Sequence, residues 1–137
     1  MGRNIIAFLA GLIGASLVVS LFELLAVLVH PLPENFDRNN INAMIEHAKT
    51  APLSAILIVL VAYTVGAYTG GLITTLISKT RPRTLSILIA VIYIAFTIFN
   101  LLKIPHPFWF GALAILVWIP FALLGYKTGM RMKRAKL

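Results

Sequence analysis

The sequence predicts an all-α membrane protein, a four-transmembrane-helix up-down bundle with both termini cytoplasmic and a short amphipathic helix in the first outer loop. Three observations predict it. Four apolar stretches are each long enough to cross a bilayer, Lys and Arg crowd to one side of them, and all but one of the connections are short.

Of the 137 residues, 60% are hydrophobic and 12% charged, whereas soluble domains are roughly 45–50% apolar and about 25% charged. Water is therefore not the main solvent. The spans and their connections occupy nearly all of residues 1–137, which read as one membrane domain with no room for a soluble catalytic domain. Cysteine is absent, so disulfides, thiolate metal sites and cysteine nucleophiles drop out together. A net charge of +8 suggests nucleic acid, but no basic and aromatic reading surface remains once the apolar stretches are assigned. No nucleic-acid partner is expected; the bilayer itself is.

The expected spans are 5–29, 53–77, 85–102 and 108–126. Each meets the roughly 17–25 residues that a helix needs to cross about 30 Å of hydrocarbon, and lipid offers the backbone no partner outside the helix. The alternating pattern of a transmembrane barrel is missing. Arg3 precedes the first span, yet its apolar run is too long for a signal peptide and no small-x-small cleavage site precedes His30 and Pro31, so it reads as a retained span. The opening Met1 to Ile6 lacks the Ser or Thr of a myristoylation signal.

Orientation follows from the cations. One side holds Arg3, then Lys79, Arg81 and Arg83 between spans two and three, then Lys127, Arg131, Lys133, Arg134 and Lys136 in a basic tail over 127–137. The other holds Arg38, Lys49 and Lys103, so the division is nine against three. The positive-inside rule places the nine in the cytoplasm. Lys79, Arg81, Arg83, Lys127, Arg131, Lys133, Arg134 and Lys136 are expected at the level of anionic lipid headgroups.

The outer loop 31–52 is the one long connection. Pro31 and Pro33 stop the first helix. Asn39 or Asn40 can cap a short helix with Ile41, Met44, Ile45 and Ala48 on one side and Asn42, Glu46 and Lys49 on the other, suited to the membrane surface or to a lid. The turns at Lys79–Arg83 and Lys103–Pro107 are short enough to force antiparallel neighbours.

Small and polar residues mark the faces that pack in lipid. Span two carries Ala62, Gly66, Gly70 and Thr74, and span one carries Ala7, Gly11 and Ala15, both at four-residue spacing. These stripes either pair with each other or form a dimer face. A second, polar stripe runs through Ser16, Ser20, Glu23 and His30 in span one and through Ser86, Ala90, Tyr93, Thr97 and Asn100 in span three. Spans one and three run the same way, so Ser16, Ser20, Glu23, His30, Tyr93, Thr97 and Asn100 are expected to share an intramembrane pocket. Lys103 and His106 stand at its outer edge.

Glu23 is the only acid inside a span, about 10 Å below the outer end by helical rise. An ionised, unpaired carboxyl at that depth costs several kcal/mol, so it is protonated, hydrated or paired, and such residues are functional candidates. Exchange of its proton is what a proton-coupled carrier needs. His30, His47 and His106 all fall on the outer side but come from three segments without ligand spacing, and no metal or other cofactor is expected. Trp109, between Phe108 and Phe110, reads as an interfacial anchor and Tyr126 as its counterpart at the other end. Pro120, just after Trp118, removes the amide that Leu116 would accept from and is expected to kink span four. No Gly-x-Ser-x-Gly, His-Glu-x-x-His or phosphate-cradling glycine loop occurs, and no enzyme activity is expected.

The segment Gly66-Ala-Tyr-Thr-Gly-Gly71, the basic turn after it, and Asn100-Leu-Leu-Lys-Ile-Pro-His-Pro-Phe-Trp-Phe110 together resemble an uncharacterised family of small bacterial four-transmembrane-helix proteins. The resemblance implies the bacterial inner membrane and no particular activity. Small multidrug exporters also place a Glu in span one, but nearer its middle and with all loops short. Fluoride channels of similar size carry a Gly-rich motif ending in an intramembrane Arg, and no span here has one. Two functions follow as expectations: a small accessory or structural protein packing against itself or a larger membrane partner, and a proton- or cation-coupled transporter of a small hydrophobic or cationic molecule using Glu23.

Overall fold

A computed structural model describes all 137 residues, with helices α1 (Gly2–Val29), α2 (Ile41–Lys49), α3 (Leu53–Ile77), α4 (Pro82–Lys103), α5 (Phe108–Leu116) and α6 (Trp118–Ala135), and no strand. Four helical stretches are long and apolar enough to cross a membrane: α1, α3, α4, and α5 with α6 taken together. The shortest, α4, has 22 residues, about 33 Å at the α-helical rise. The helices exceed the apolar runs at their ends. α1 begins at Gly2 and α4 at Pro82, and α6 carries the basic tail as helix to Ala135, because helical hydrogen bonding continues past the point where hydrophobicity stops.

Of the helices, α3 is the centre, packed along α1 on one side and α6 on the other; α4 packs on α3 and α6 and meets α1 only slightly. The α1 seam is built of small side chains. Ala7, Gly11 and Ala15 are the buried residues of α1, and Ala62, Gly66, Gly70 and Thr74 are buried on α3. A Cβ placed on Gly70 would sit 3.2 Å from the Ala15 Cβ and 3.3 Å from the Gly11 carbonyl oxygen. That closeness lets the Thr74 hydroxyl donate to the Ala7 carbonyl at 3.2 Å. Backbones this near gain dispersion contacts that lipid tails cannot match.

A second seam, absent from the reading of the sequence, joins the opposite face of α3 to α6. Gly71 lies against the Ala122 carbonyl, and Gly125 lies against the backbone of Tyr68 and Leu72. Ala67, Gly71 and Thr75 supply the α3 side, Ala122, Gly125 and Gly129 the α6 side, and all six are buried. The α3 set was visible as a second four-residue stripe in span two.

Trp118 and Phe110 are the largest fully buried side chains, in a core otherwise rich in alanine. Leu9, Ile13, Leu17, Leu21, Leu24 and Leu28 of α1 point outward and are at least half exposed. A continuous apolar face of this kind suits lipid rather than water. Span four is interrupted at Val117, between α5 and α6, three residues before Pro120, whose ring nitrogen has no hydrogen for the Leu116 carbonyl.

One end of the bundle is tied by the N-terminus. Asn4 Oδ1 accepts from Ser78 Oγ at 3.0 Å and from the amides of Lys79 and Thr80, while its Nδ2 donates to Thr80 Oγ1 at 2.7 Å. Arg3 Nε donates to the Ile77 carbonyl at 2.8 Å, and Lys133 Nζ donates to that of Ser78. The Arg3 and Lys133 bonds cap the end of α3, whose last carbonyls have no helical donors, and the Asn4 bonds hold the turn that follows it. Arg81, in the left-handed region at φ 56°, then turns the chain into Pro82 at the start of α4.

Candidate functional site

Because α1 and α4 touch so little, a groove of about 540 Å³ remains between them. Ser16, Val19 and Glu23 of α1 line one wall, and Tyr93, Thr97 and Asn100 of α4 the other; Tyr63 of α3 and Trp118 of α6 also line it. The α4 residues recur at four and three residues, hence on one helix face.

The wall is fixed by aromatic stacking and hydrogen bonds. The Tyr93 ring stacks on Trp118, with centroids 4.5 Å apart and planes 9° from parallel. Trp118 Nε1 donates to Thr97 Oγ1 at 3.0 Å, and Thr97 in turn donates to the Tyr93 carbonyl at 2.8 Å. The Tyr93 hydroxyl donates to the Leu12 carbonyl at 2.8 Å and lies within hydrogen-bond reach of Ser16 Oγ. Tyr63, tilted against Trp118 at 5.5 Å, stands beside Glu23 and Asn100.

Glu23 differs from its neighbours. The chain's single ion pair is Lys49 with Glu46, at 3.3 Å, and no side-chain hydrogen bond within the chain engages the Glu23 carboxyl, which lies at an exposed position of α1 facing the groove. A carboxylate in that position is a ready acceptor for a cation or a hydrogen-bond donor entering from the side. The alternative is to hold a proton.

The expected pocket divides in two. Ser16, Glu23, Tyr93, Thr97 and Asn100 come together in the groove, joined by Tyr63 and Trp118, which the sequence reading did not place there. Ser20 is exposed outside its lining, since it lies about 60° around the helix from Glu23 at 100° per residue. Lys103 leans back over the Phe99 ring, its Nζ 4.3 Å from the centroid. His30 and His106 belong instead to a separate cleft of about 160 Å³ at the histidine end, lined also by His47 and Phe110.

In that cleft the rings of His30 and His47 stack at 4.0 Å, and Nε2 of His30 donates to the His47 carbonyl at 3.0 Å. Nδ1 of His106 donates to the Ile104 carbonyl at 2.8 Å, and its ring stacks on Phe110 at 5.0 Å. The histidines are thus engaged with carbonyls and rings, and no three His, Asp or Glu side chains converge as metal ligands. Burial first, and then the charge of His30, push the His47 imidazole below its ordinary value. The short helix α2 that carries His47 is capped by Asn40, whose side chain accepts from the amides of Asn42 and Ala43.

No known protein family, curated protein or solved structure matches the chain.

Proposed function

We propose that this chain is a carrier of the bacterial inner membrane, with both termini cytoplasmic, that takes a small hydrophobic cation sideways from the bilayer into the groove between α1 and α4. Glu23 holds either the cation or a proton, so that uptake of one displaces the other. The observation that carries the reading is the Glu23 carboxyl, set in an apolar span without a partner and facing a groove of molecular size. The half-buried Tyr93 ring lines the same space, backed by the buried Trp118 and Tyr63, and an aromatic wall favours a cation as well. The nine cations at one end support the orientation.

A second reading, an accessory protein that docks a helix of a second copy or of a larger membrane protein, uses the same groove. Ser20 favours it, as a polar side chain exposed on α1 beside the groove. The small-residue stripe of α1 is already mated with α3 inside the chain, so a partner would meet this polar face.

Proteoliposomes test the carrier reading. Tetraphenylphosphonium loaded inside is expected to leave when an inward proton gradient is imposed, and Glu23→Gln is expected to abolish that flux while leaving the thermal unfolding midpoint within a few degrees. Flux unchanged by Glu23→Gln, or none in the parent protein, contradicts the carrier reading.

A further inference from the structure

Two adjoining hollows at the basic end remain unused by this function. The larger, about 500 Å³, has Arg83 from the first turn of α4 on one wall and Pro120, Leu123, Leu124, Tyr126 and Lys127 of α6 on the other. The smaller, about 200 Å³, shares Tyr126 and Lys127 and adds Met130, Arg131 and Arg134. Lys127, Arg131 and Arg134 are spaced by four and three residues and so share one face of α6. Two other cations of this end are employed within the chain, and Lys79, Arg81 and Lys136 lie outside the crease. Arg3 and Lys133 donate to the Ile77 and Ser78 carbonyls, whereas Arg83, Lys127, Arg131 and Arg134 bond to nothing in the chain and meet no acid. All four acids of the sequence, Glu23, Glu34, Asp37 and Glu46, lie elsewhere.

We infer that this crease is a binding site for an anionic phospholipid, with a two-phosphate headgroup preferred over one. Charge complementarity selects the anion, since four free cations flank two hollows that meet at Lys127. The floor selects an amphiphile over a free anion. Leu123, Leu124 and Pro120 continue from the cations toward mid-span, and Pro120 lies about 10 Å along the axis from Lys127 by helical rise. An acyl chain follows that floor while Tyr126, amphipathic itself, lies at the boundary. Basic pockets between spans bind such headgroups, whereas cations outside a pocket attract anionic lipid in general and form no saturable site.

The full chain in maltoside micelles, followed by native mass spectrometry and thermal unfolding, tests this with tetraoleoyl cardiolipin, dioleoyl phosphatidylglycerol, dioleoyl phosphatidylcholine and inorganic phosphate. Cardiolipin is expected to form a saturable one-to-one adduct and raise the unfolding midpoint, phosphatidylglycerol to do so more weakly, and the other two not at all. Arg83→Gln with Lys127→Gln weakens cardiolipin binding about thirtyfold, from about 1 kcal/mol per cation. Lys79→Gln with Lys136→Gln, which removes equal charge outside the crease, leaves it unchanged. Leu124→Trp fills the floor and blocks the adduct with all charges kept. Equal losses in the two double variants, binding of phosphate alone, or an adduct unaffected by Leu124→Trp would each overturn the site.

Discussion

Tyr93 lies flat on Trp118, ring centroids 4.5 Å apart, while its hydroxyl reaches the Leu12 carbonyl 2.8 Å away on α1. One side chain thereby links α4 to α6 and to α1 within the wall of the groove that Glu23 faces. The bond joins α4 to α1 where the two helices otherwise pack slightly.

Tyr93→Phe keeps the stack and removes the hydroxyl. The expected loss is about 0.6–1.7 kcal/mol, the range for hydrogen bonds between membrane helices. Trp118→Ala, which empties the largest buried side chain, costs about 3–5 kcal/mol. Thermal unfolding in detergent, followed by circular dichroism, is expected to rank them in that order. A Tyr93→Phe loss as large as that of Trp118→Ala would show that the hydroxyl, not the stack, holds the wall.

The seam of α3 with α6 has no room for a methyl group. At Gly71 the added Cβ meets the Ala122 carbonyl, and at Gly125 that of Tyr68, both rigid backbone. Gly71→Ala and Gly125→Ala are expected to abolish the monodisperse folded species on size-exclusion chromatography. Gly111→Ala, whose nearest contact is Leu101 at an ordinary 3.5 Å, leaves it intact. A well-folded Gly71→Ala protein contradicts the close seam.

The docking of α2 is expected to depend on pH through His47. His30 stacks on His47, Phe36 tilts against it at 5.5 Å, and the nearby charges of Glu46 and Lys49 pair with each other. Its folded value is lowered, so the neutral ring is favoured in the folded state. The stabilisation is full above the ordinary value of about 6.5 and is lost as pH falls through the lowered folded value. Amide exchange over Ile41–Lys49, corrected for intrinsic rate, should accelerate as pH falls below the ordinary histidine value of about 6.5, and His47→Phe should remove that pH dependence. Protection that stays constant in the parent protein contradicts this.

Asn4 is expected to matter more than its position near the N-terminus suggests. Its side-chain oxygen accepts three bonds from the α3–α4 turn and its amide donates a fourth. Asn4→Leu is expected to cost about 2 kcal/mol, on the scale of about 1 kcal/mol per net hydrogen bond with partial solvent replacement. Asn4→Asp, which retains the acceptor, is expected to recover more than half of this in thermal unfolding. Equal losses for the two variants would assign the Asn4 acceptor no role in holding the turn.

The helices were legible because hydrocarbon imposes length and apolarity on every span, and Ala7, Gly11, Ala15, Gly66 and Gly70 showed their packing by spacing. Ser16, Glu23, Tyr93, Thr97 and Asn100 were legible as a group for the same reason. Tyr63 and Trp118 were not, since an aromatic residue in a span looks alike whether it faces lipid, core or groove. Trp118 did carry one signal, an indole N–H that needs an acceptor inside hydrocarbon, and Thr97 supplies it. His30 was grouped with Glu23 by a seven-residue helical spacing that stops short of it, since α1 ends at Val29, and His106 by depth. Depth does not say which side of the bundle a turn faces, and their rings were drawn instead to His47 and Phe110. Asn4 was unreadable because its partners lie more than seventy residues away.

Trp118 makes the central claim directly measurable, since it lines the groove and Trp109 is the only other tryptophan. In a Trp109→Phe protein, Trp118 fluorescence is titrated with tetraphenylphosphonium and with tetraphenylborate, an anion of the same shape. Saturable quenching by the cation alone is expected, weakened at least about tenfold by Glu23→Gln, the scale of a charge-assisted contact. Equal quenching by cation and anion, or by the cation with and without Glu23, would contradict a cation site at this carboxyl.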